Sequence, residues 1–412
     1  MRKSFIIPLV VCFFFCGCEK EESLVEITQG AKQIVLTRSQ EESLSHVNTF
    51  SCRLFQEGWN LMPENNFILS PFSTAEVLAM LSEGADGQTQ KEIVEALGFN
   101  DYSNEEIGSF FHRLRNEVKE ADPTSSFMSS NAMWLSPSNK NSVNSSFINA
   151  SNRFFETDFH YVDLSTKSGI TEVNKWCYNS TGGTIPRMVD APMSNSSFAL
   201  TNAIYFSGVW KYPFPEEQRE VFHHLDGKEE KVKMMKGTVI VQGARWDDCP
   251  STFFSLPYGN GAFRMEFFVP MTGYYEEAIT HISSVVLDSL RQVSVDAFLP
   301  IERELTMPFF EIQTSPDLKS MMADLGIRTL FSNQADLSKM SPLPVSMDAF
   351  FQKTLIKVDK RGTTASAVTE TSGSYTFFDG EVPSNAFVLD RPFFFIISES
   401  STGAILFIGQ YV

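Results

Sequence analysis

Histidine, cysteine and serine in fixed spacings carry most enzyme chemistry, and this chain lacks those spacings. Its six histidines are His46, His112, His160, His223, His224 and His281. None stands in a His-Glu-x-x-His or other metal-ligating pattern. His223 and His224 are adjacent, so on a strand they face opposite sides and do not readily share a metal. No Gly-x-Ser-x-Gly elbow and no phosphate-binding glycine loop occurs. Cys52, Cys177 and Cys249 have no neighbours that would single one out as a nucleophile. The expectation is therefore no metal, no cofactor and no enzymatic activity.

One segment has unusual chemistry of another kind. Residues 361–381 read Arg-Gly-Thr-Thr-Ala-Ser-Ala-Val-Thr-Glu-Thr-Ser-Gly-Ser-Tyr-Thr-Phe-Phe-Asp-Gly-Glu. They lie between two apolar strand-like runs, where a connection longer than about 12 to 15 residues is usually functional or disordered. Thr363, Thr364, Val368, Thr369 and Thr371 favour strands, and no proline intervenes before Pro383. As a strand, Thr363, Ala365, Ala367, Thr369 and Thr371 share one face, and all are small and uncharged. Thr364, Ser366, Val368 and Glu370 form the other. The segment is able to become a strand but stands where a loop is needed; on composition alone it also reads as a plain surface loop.

The elements around it must position it. The pattern predicts helices over 44–59, from Pro71 to about Ser82, over 89–97, 105–119, 145–155, 171–178 and 318–325. Ser70 is expected as the N-cap of the second, with Pro71 in its first turn. Strands are expected at 67–69, 126–135, 198–210, 305–312, 349–358, 393–397 and 405–411, with several short ones between 221 and 270. The mixture is α+β, with mostly antiparallel strands.

The chain has 412 residues, of which 42% are hydrophobic and 20% charged, with a formal charge of −17. That is globular composition. The acid excess argues against nucleic acid, which needs clustered Lys and Arg. The 38 phenylalanines imply a large core, and six cysteines are too sparse for a disulfide scaffold. No repeat, linker or composition break divides residues 43–412, which read as one domain.

The N-terminus reads separately. Arg2 and Lys3 precede an apolar run, Phe5 to Phe15, that is too short for the roughly 20 residues of a membrane span. Residues 1–17 therefore read as a secretory signal peptide. Phe15-Cys16-Gly17-Cys18 resembles a bacterial lipobox, with Phe15 in place of the usual Leu, which implies lipidation of Cys18. Glu19-Lys20-Glu21-Glu22 behind it resembles the surface-export signal of lipoproteins in Bacteroidetes-type bacteria. Residues 18–42 read as the lipidated N-terminus and a tether. The implied location is exported, at the outer membrane or cell surface, with membrane contact only through the lipid.

Over residues 43–412 the chain resembles the serpins. Asn66-Phe67-Ile68-Leu69-Ser70-Pro71-Phe72-Ser73 looks like the family's strand-to-helix motif, with Gly84 and Thr89 at its following positions. Thr201 to Trp210, with Phe214, resembles the central strand of sheet A and the breach at its top. Asp317-Leu318-Lys319, Leu325-Gly326-Ile327 and Phe331-Ser332 resemble a later helix and its exit. Asp390 to Phe395 and Thr402 to Gly409 look like the C-terminal hairpin.

The resemblance implies three mostly antiparallel sheets, about nine helices and an exposed reactive-centre loop at about 360–383. It implies a suicide-substrate inhibitor, a monomer, whose partner is a secreted serine protease or a cysteine protease. Gly362 matches the hinge glycine and Thr363 the first inserting residue. Thr364 continues the hinge, and Ala365, Ser366, Ala367, Val368 and Thr369 match the small-residue stretch of inhibitory members. Ser70, Ser73, Asn202 and Gln352 match the shutter, and Trp210 the breach. Two positions depart from the family. Lys360 replaces an acidic residue, and Gln352 replaces a histidine; glutamine still donates and accepts, so the polar cluster is expected to survive. Counting from the hinge puts the bait bond at Thr376–Phe377, with Tyr375 and Phe378 as neighbours; counting back from Arg391-Pro392 puts it nearer Glu381. The alternative is a non-inhibitory serpin acting as a surface binding protein.

Overall fold

The computed structural model describes residues 30–193, 198–296, 301–343, 345, 347–363 and 386–412. The chain opens with α1 (Arg38–Leu61), started by a Thr37 capping box. Then come β1 (Phe67–Leu69), α2 (Pro71–Gly84), α3 (Gly87–Leu97) and α4 (Asn104–Lys119), the last again behind a capping box, at Ser103. Next are β2 (Ser125–Leu135), α5 (Ser145–Phe155), β3 (Thr157–Tyr161) and α6 (Lys167–Ser180). A strand-rich stretch follows: β4 (Phe198–Val209), β5 (Glu216–His223), β6 (Glu229–Trp246), β7 (Ser251–Pro257) and β8 (Phe263–Pro270). It leads to α7 (Tyr275–His281), α8 (Ser284–Asp296), β9 (Ile301–Pro308), β10 (Phe310–Thr314) and α9 (Leu318–Asp324). The chain closes with β11 (Met347–Asp359), β12 (Gly362–Thr363), β13 (Phe387–Val388), β14 (Phe393–Glu399) and β15 (Ile405–Tyr411).

A six-stranded sheet runs β10-β11-β12-β4-β2-β3, and a longer path runs β1-β15-β14-β8-β7-β6-β9-β13 with β5 on β6. The longer path is two sheets sharing one strand. Residues Met234 to Val241 of β6 pair with β9, and Gln242 to Trp246 pair with β7. Three sheets with nine α-helices thus occur among the described residues. Pairing is antiparallel except at β11–β4, β2–β3 and β13–β9.

Helix α2 is buried almost all round, because it lies between the layers. Phe72 faces Phe127 of β2, which in turn meets Phe407 of β15, with ring centroids 6.3 and 6.1 Å apart. Stacked phenylalanines cross the longer path, where Phe268 lies on Phe394 at 4.6 Å and Phe254 on Phe267 at 4.8 Å.

Three expectations are corrected. Residues 30–42 are not all tether. The first helix starts at Arg38, the Ile34 N–H donates to Ser401 Oγ at 2.9 Å, and Lys32 pairs with Glu117 at 2.7 Å. The single strand expected over 305–312 is two, β9 and β10, in different sheets, since the chain changes sheet at Phe309. Ser70 does not cap α2 with its side chain; its hydroxyl donates instead to Leu406 O at 2.8 Å.

Candidate functional site: the gate between β4 and β11

The site is a seam in the six-stranded sheet. From Met347–Phe198 to Leu355–Tyr205, β11 and β4 pair directly and in parallel. Above that they part, and β12 lies between them, antiparallel to both. Gly362 faces Val209 and Asp359, and Thr363 faces Gly208 and Val358. The two-residue turn Lys360-Arg361 joins β11 to β12.

Three donors hold that turn. Trp210 N–H reaches Arg361 O at 2.7 Å, Phe214 N–H reaches Lys360 O at 2.8 Å, and Trp210 Nε1 reaches Asp359 O at 2.9 Å. Gly362 is required for space: a Cβ there would stand 2.1 Å from Gly208 O. Lys360, where the family has an acid, faces an acidic neighbour. Glu217 is held below the usual carboxylate range mainly by its bond to Lys233, with a smaller contribution from Lys360.

Thr363 is fully buried. Its Oγ1 is 2.5 Å from the hydroxyl of Tyr258, which is also fully buried. The Tyr258 ring stacks on Trp210 at 4.4 Å and 11° and meets Phe206 edge-on at 5.1 Å. Its hydroxyl also donates to Met265 Sδ at 3.5 Å. Burial pushes the Tyr258 hydroxyl far above its ordinary pKa, so it stays protonated.

Lower in the seam sits the polar cluster. Gln352 Nε2 donates to Thr74 Oγ1 at 2.9 Å and to Asn202 Oδ1 at 3.0 Å. Its amide also exchanges long bonds of 3.4 Å with the Ser70 backbone, Oε1 accepting from the N–H and Nε2 donating to the carbonyl. Asn202 Nδ2 donates to Asn131 Oδ1 at 2.7 Å. Ser73 and Ser129 share a hydroxyl bond of 2.6 Å. Glutamine thus occupies the histidine position with partners on α2 and β4. Asn131 leads on to a buried ion pair, Glu76 of α2 with Arg115 of α4.

The structure therefore brings together Ser70, Ser73, Asn202 and Gln352 in one cluster and Gly362, Thr363 and Trp210 in another. Thr364, Ala365, Ser366, Ala367, Val368, Thr369, Tyr375, Thr376, Phe377, Phe378 and Cys18 lie outside the described residues. Sequence reasoning missed Tyr258, Thr74, Ser129 and Asn131. The only signal for Tyr258 was an aromatic residue inside the turn motif Pro257-Tyr258-Gly259-Asn260-Gly261. Among the described residues no group of three or more His, Cys, Asp or Glu could hold a metal. The three described cysteines are free and buried, and burial pushes the Cys52 and Cys177 thiols up to about 12, where they are poor nucleophiles.

The family model described as Serpin (serine protease inhibitor) matches residues 45–412. Leukocyte elastase inhibitor of Bos taurus is 30% identical over 382 residues, covering 90% of this chain and 99% of the relative. Plasminogen activator inhibitor 1 of Bos taurus is 28% identical over 383 residues, covering 90% and 92%. Human thyroxine-binding globulin superposes with a TM-score of 0.79 at 25% identity, covering 90% and 98%. A thermophilic serpin, tengpin, in its native state superposes at 0.79 and 22% identity, covering 93% and 97%, a likeness of fold.

Proposed function

The chain belongs to the serpin family, and we propose that it is a suicide-substrate inhibitor that traps serine proteases by inserting its cut loop between β4 and β11. The observation that carries this reading is the position of β12. The hinge glycine Gly362 and the first inserting residue Thr363 already lie in the gap, antiparallel to both neighbours as a new strand must be. Continuing both registers downward brings residue 369 opposite Asn202 and Gln352 together, the pair whose side-chain bond now closes the seam. Thr369 offers that point a small residue with a hydroxyl, able to replace the broken bond.

The covalent step balances simply. The protease serine Oγ bonds to the Thr376 carbonyl carbon, the Thr376–Phe377 C–N bond breaks, and the serine proton passes through the protease base to the leaving amine. The ester stays on the inserting half. About 14 residues from the hinge at roughly 3.3 Å each carry it some 46 Å before hydrolysis. Burial and new ladder hydrogen bonds, absent from the uncut sheet, supply the drive.

No Lys or Arg lies between Arg361 and Arg391, so trypsin-like pockets, whose buried carboxylate needs a cation, are poor matches. Elastase-, chymotrypsin- and subtilisin-type enzymes are the proposed targets. The identity with leukocyte elastase inhibitor supports that class. The protein acts as a monomer, anchored at the outer membrane or cell surface through a lipid on Cys18. The lipobox-like Phe15-Cys16-Gly17-Cys18 supports the anchor, and Cys18→Ala should release the protein from the membrane fraction.

Incubation with a protease panel tests the function. An SDS-stable complex is expected with chymotrypsin or elastase, and mass spectrometry of the released C-terminal fragment should begin at Phe377. The cut chain should melt far above the intact one. Loop cleavage by every protease with no stable complex, and no rise in melting temperature, would instead favour the surface binding protein. Lys360 and the likeness to human thyroxine-binding globulin lend weight to that second reading. Rapid inhibition of trypsin with none of chymotrypsin or elastase would overturn the target class.

A further inference from the structure

We propose that the Tyr258 hydroxyl is the positioning group that keeps the hinge seated in the sheet, and that it thereby sets how many proteases are trapped per loop cut. The proposal deepens the trapping reading above and rests on it. Thr363 brings a hydroxyl into a fully buried place between two strands. The Tyr258 hydroxyl bonds it at 2.5 Å, and an unpaired hydroxyl there is costly. Tyr258 does not belong to the gate strands. It follows β7, bridges to Trp210, and is clamped between Trp210 and Phe206. The bond therefore ties the hinge to a buried, packed part of the other layer.

Trapping is a race between insertion and ester hydrolysis. A hinge already seated starts that race with its first two pairs made. Without the Tyr258 hydroxyl, Thr363 Oγ1 loses this partner and the seated state loses ground to one in which the hydroxyl meets water. Insertion then starts later, and more proteases escape.

The two partners are not equivalent. Tyr258 keeps a second acceptor in Met265 Sδ at 3.5 Å, so removing the threonine hydroxyl should matter less than removing the tyrosine hydroxyl. Removing both leaves apolar groups of similar shape and no orphan, which is close to neutral.

The test measures loop cuts per SDS-stable complex for Tyr258→Phe, Thr363→Val, Thr363→Ser and the Tyr258→Phe/Thr363→Val double variant, with the rate of the first cut as a control. Tyr258→Phe should raise the ratio roughly five- to tenfold with the cutting rate unchanged. Thr363→Val should raise it less, Thr363→Ser should match the parent, and the double variant should recover toward the parent. A Tyr258→Phe ratio equal to the parent's, or a double variant no better than Tyr258→Phe, overturns the proposal. Insertion is also timed without inhibition, by cutting the loop with a metalloprotease and following tryptophan fluorescence. If the parent forms no covalent complex the trapping reading fails, while this rate still decides the role of Tyr258: slower insertion in Tyr258→Phe supports it, an unchanged rate refutes it.

Discussion

The two ends of one seam are built on opposite principles. At the top, β4 and β11 are held apart by β12, and the contacts are backbone bonds, an aromatic stack and one buried hydroxyl pair. Lower down, β4 and β11 touch directly, and what closes them is a set of side-chain amides and hydroxyls centred on Gln352. The top tolerates only small residues, as Gly362 shows. The lower cluster tolerates exchange of partners, because every group in it both donates and accepts or has a neighbour that does. The short strand β12 lies where exchange is impossible, and β4 meets β11 directly where exchange is easy.

The largest break in this contrast comes from charge at the top. Thr363→Arg would place an unpaired guanidinium in a fully buried position, so the hinge leaves the sheet. Under the proposed trapping function, covalent complex per cleavage should fall roughly tenfold or more on a gel, with the loop still cut. Complex formation equal to the parent's would show that the top of the seam is wider than its contacts imply.

A smaller effect of different sign is expected below. Gln352→Leu strands Asn202 Oδ1, which costs about 1 to 3 kcal/mol when buried and unpaired, while the Thr74 hydroxyl keeps its bond to Ser70 O. The intact chain should melt several degrees lower, with complex per cleavage maintained or raised because the closed seam is the state that weakens. Loss of trapping with an unchanged melting temperature would mean that Gln352 serves the inserted sheet instead.

The mildest test leaves both ends alone. Glu266 is buried in the other layer. Burial raises its carboxyl, but Arg291 and Arg264 outweigh that and hold it down to about 2. A depressed carboxylate adds stability that is present above its unfolded value near 4.5 and is lost as pH falls toward 2. Melting temperature should therefore decline across that window, with no change in complex per cleavage from pH 8 to 6. Glu266→Gln should flatten the decline.

Much of the gate was legible in the sequence. Gly362, Thr363, Ser70, Ser73, Asn202, Gln352 and Trp210 all fall at the seam. They were legible through the resemblance to the serpins, carried over residue by residue; local pattern alone marked only the small residues of a strand-forming segment placed where a loop is needed. Tyr258 was not, because its role depends on Thr363, 105 residues away, while its local surroundings announce only a turn. The side-chain role of Ser70 was misjudged for the same reason: a serine before Pro71 looks like a cap until Leu406 arrives beside it. The break between β9 and β10 was hidden because alternation along a strand does not say which sheet the strand has joined.

The pairing of Ser70 with Leu406 bridges 336 residues, and β15 lies between β1 and β14 rather than at an edge. Time of manufacture follows from that geometry. At roughly 5 to 20 residues per second, β1 is made tens of seconds before the strand it pairs with. Until β14 and β15 arrive, β1 and β8 each lack a neighbour and the layer under α2 stays open. Folding must therefore wait for nearly the whole chain, and the earlier strands need protection from one another throughout that wait.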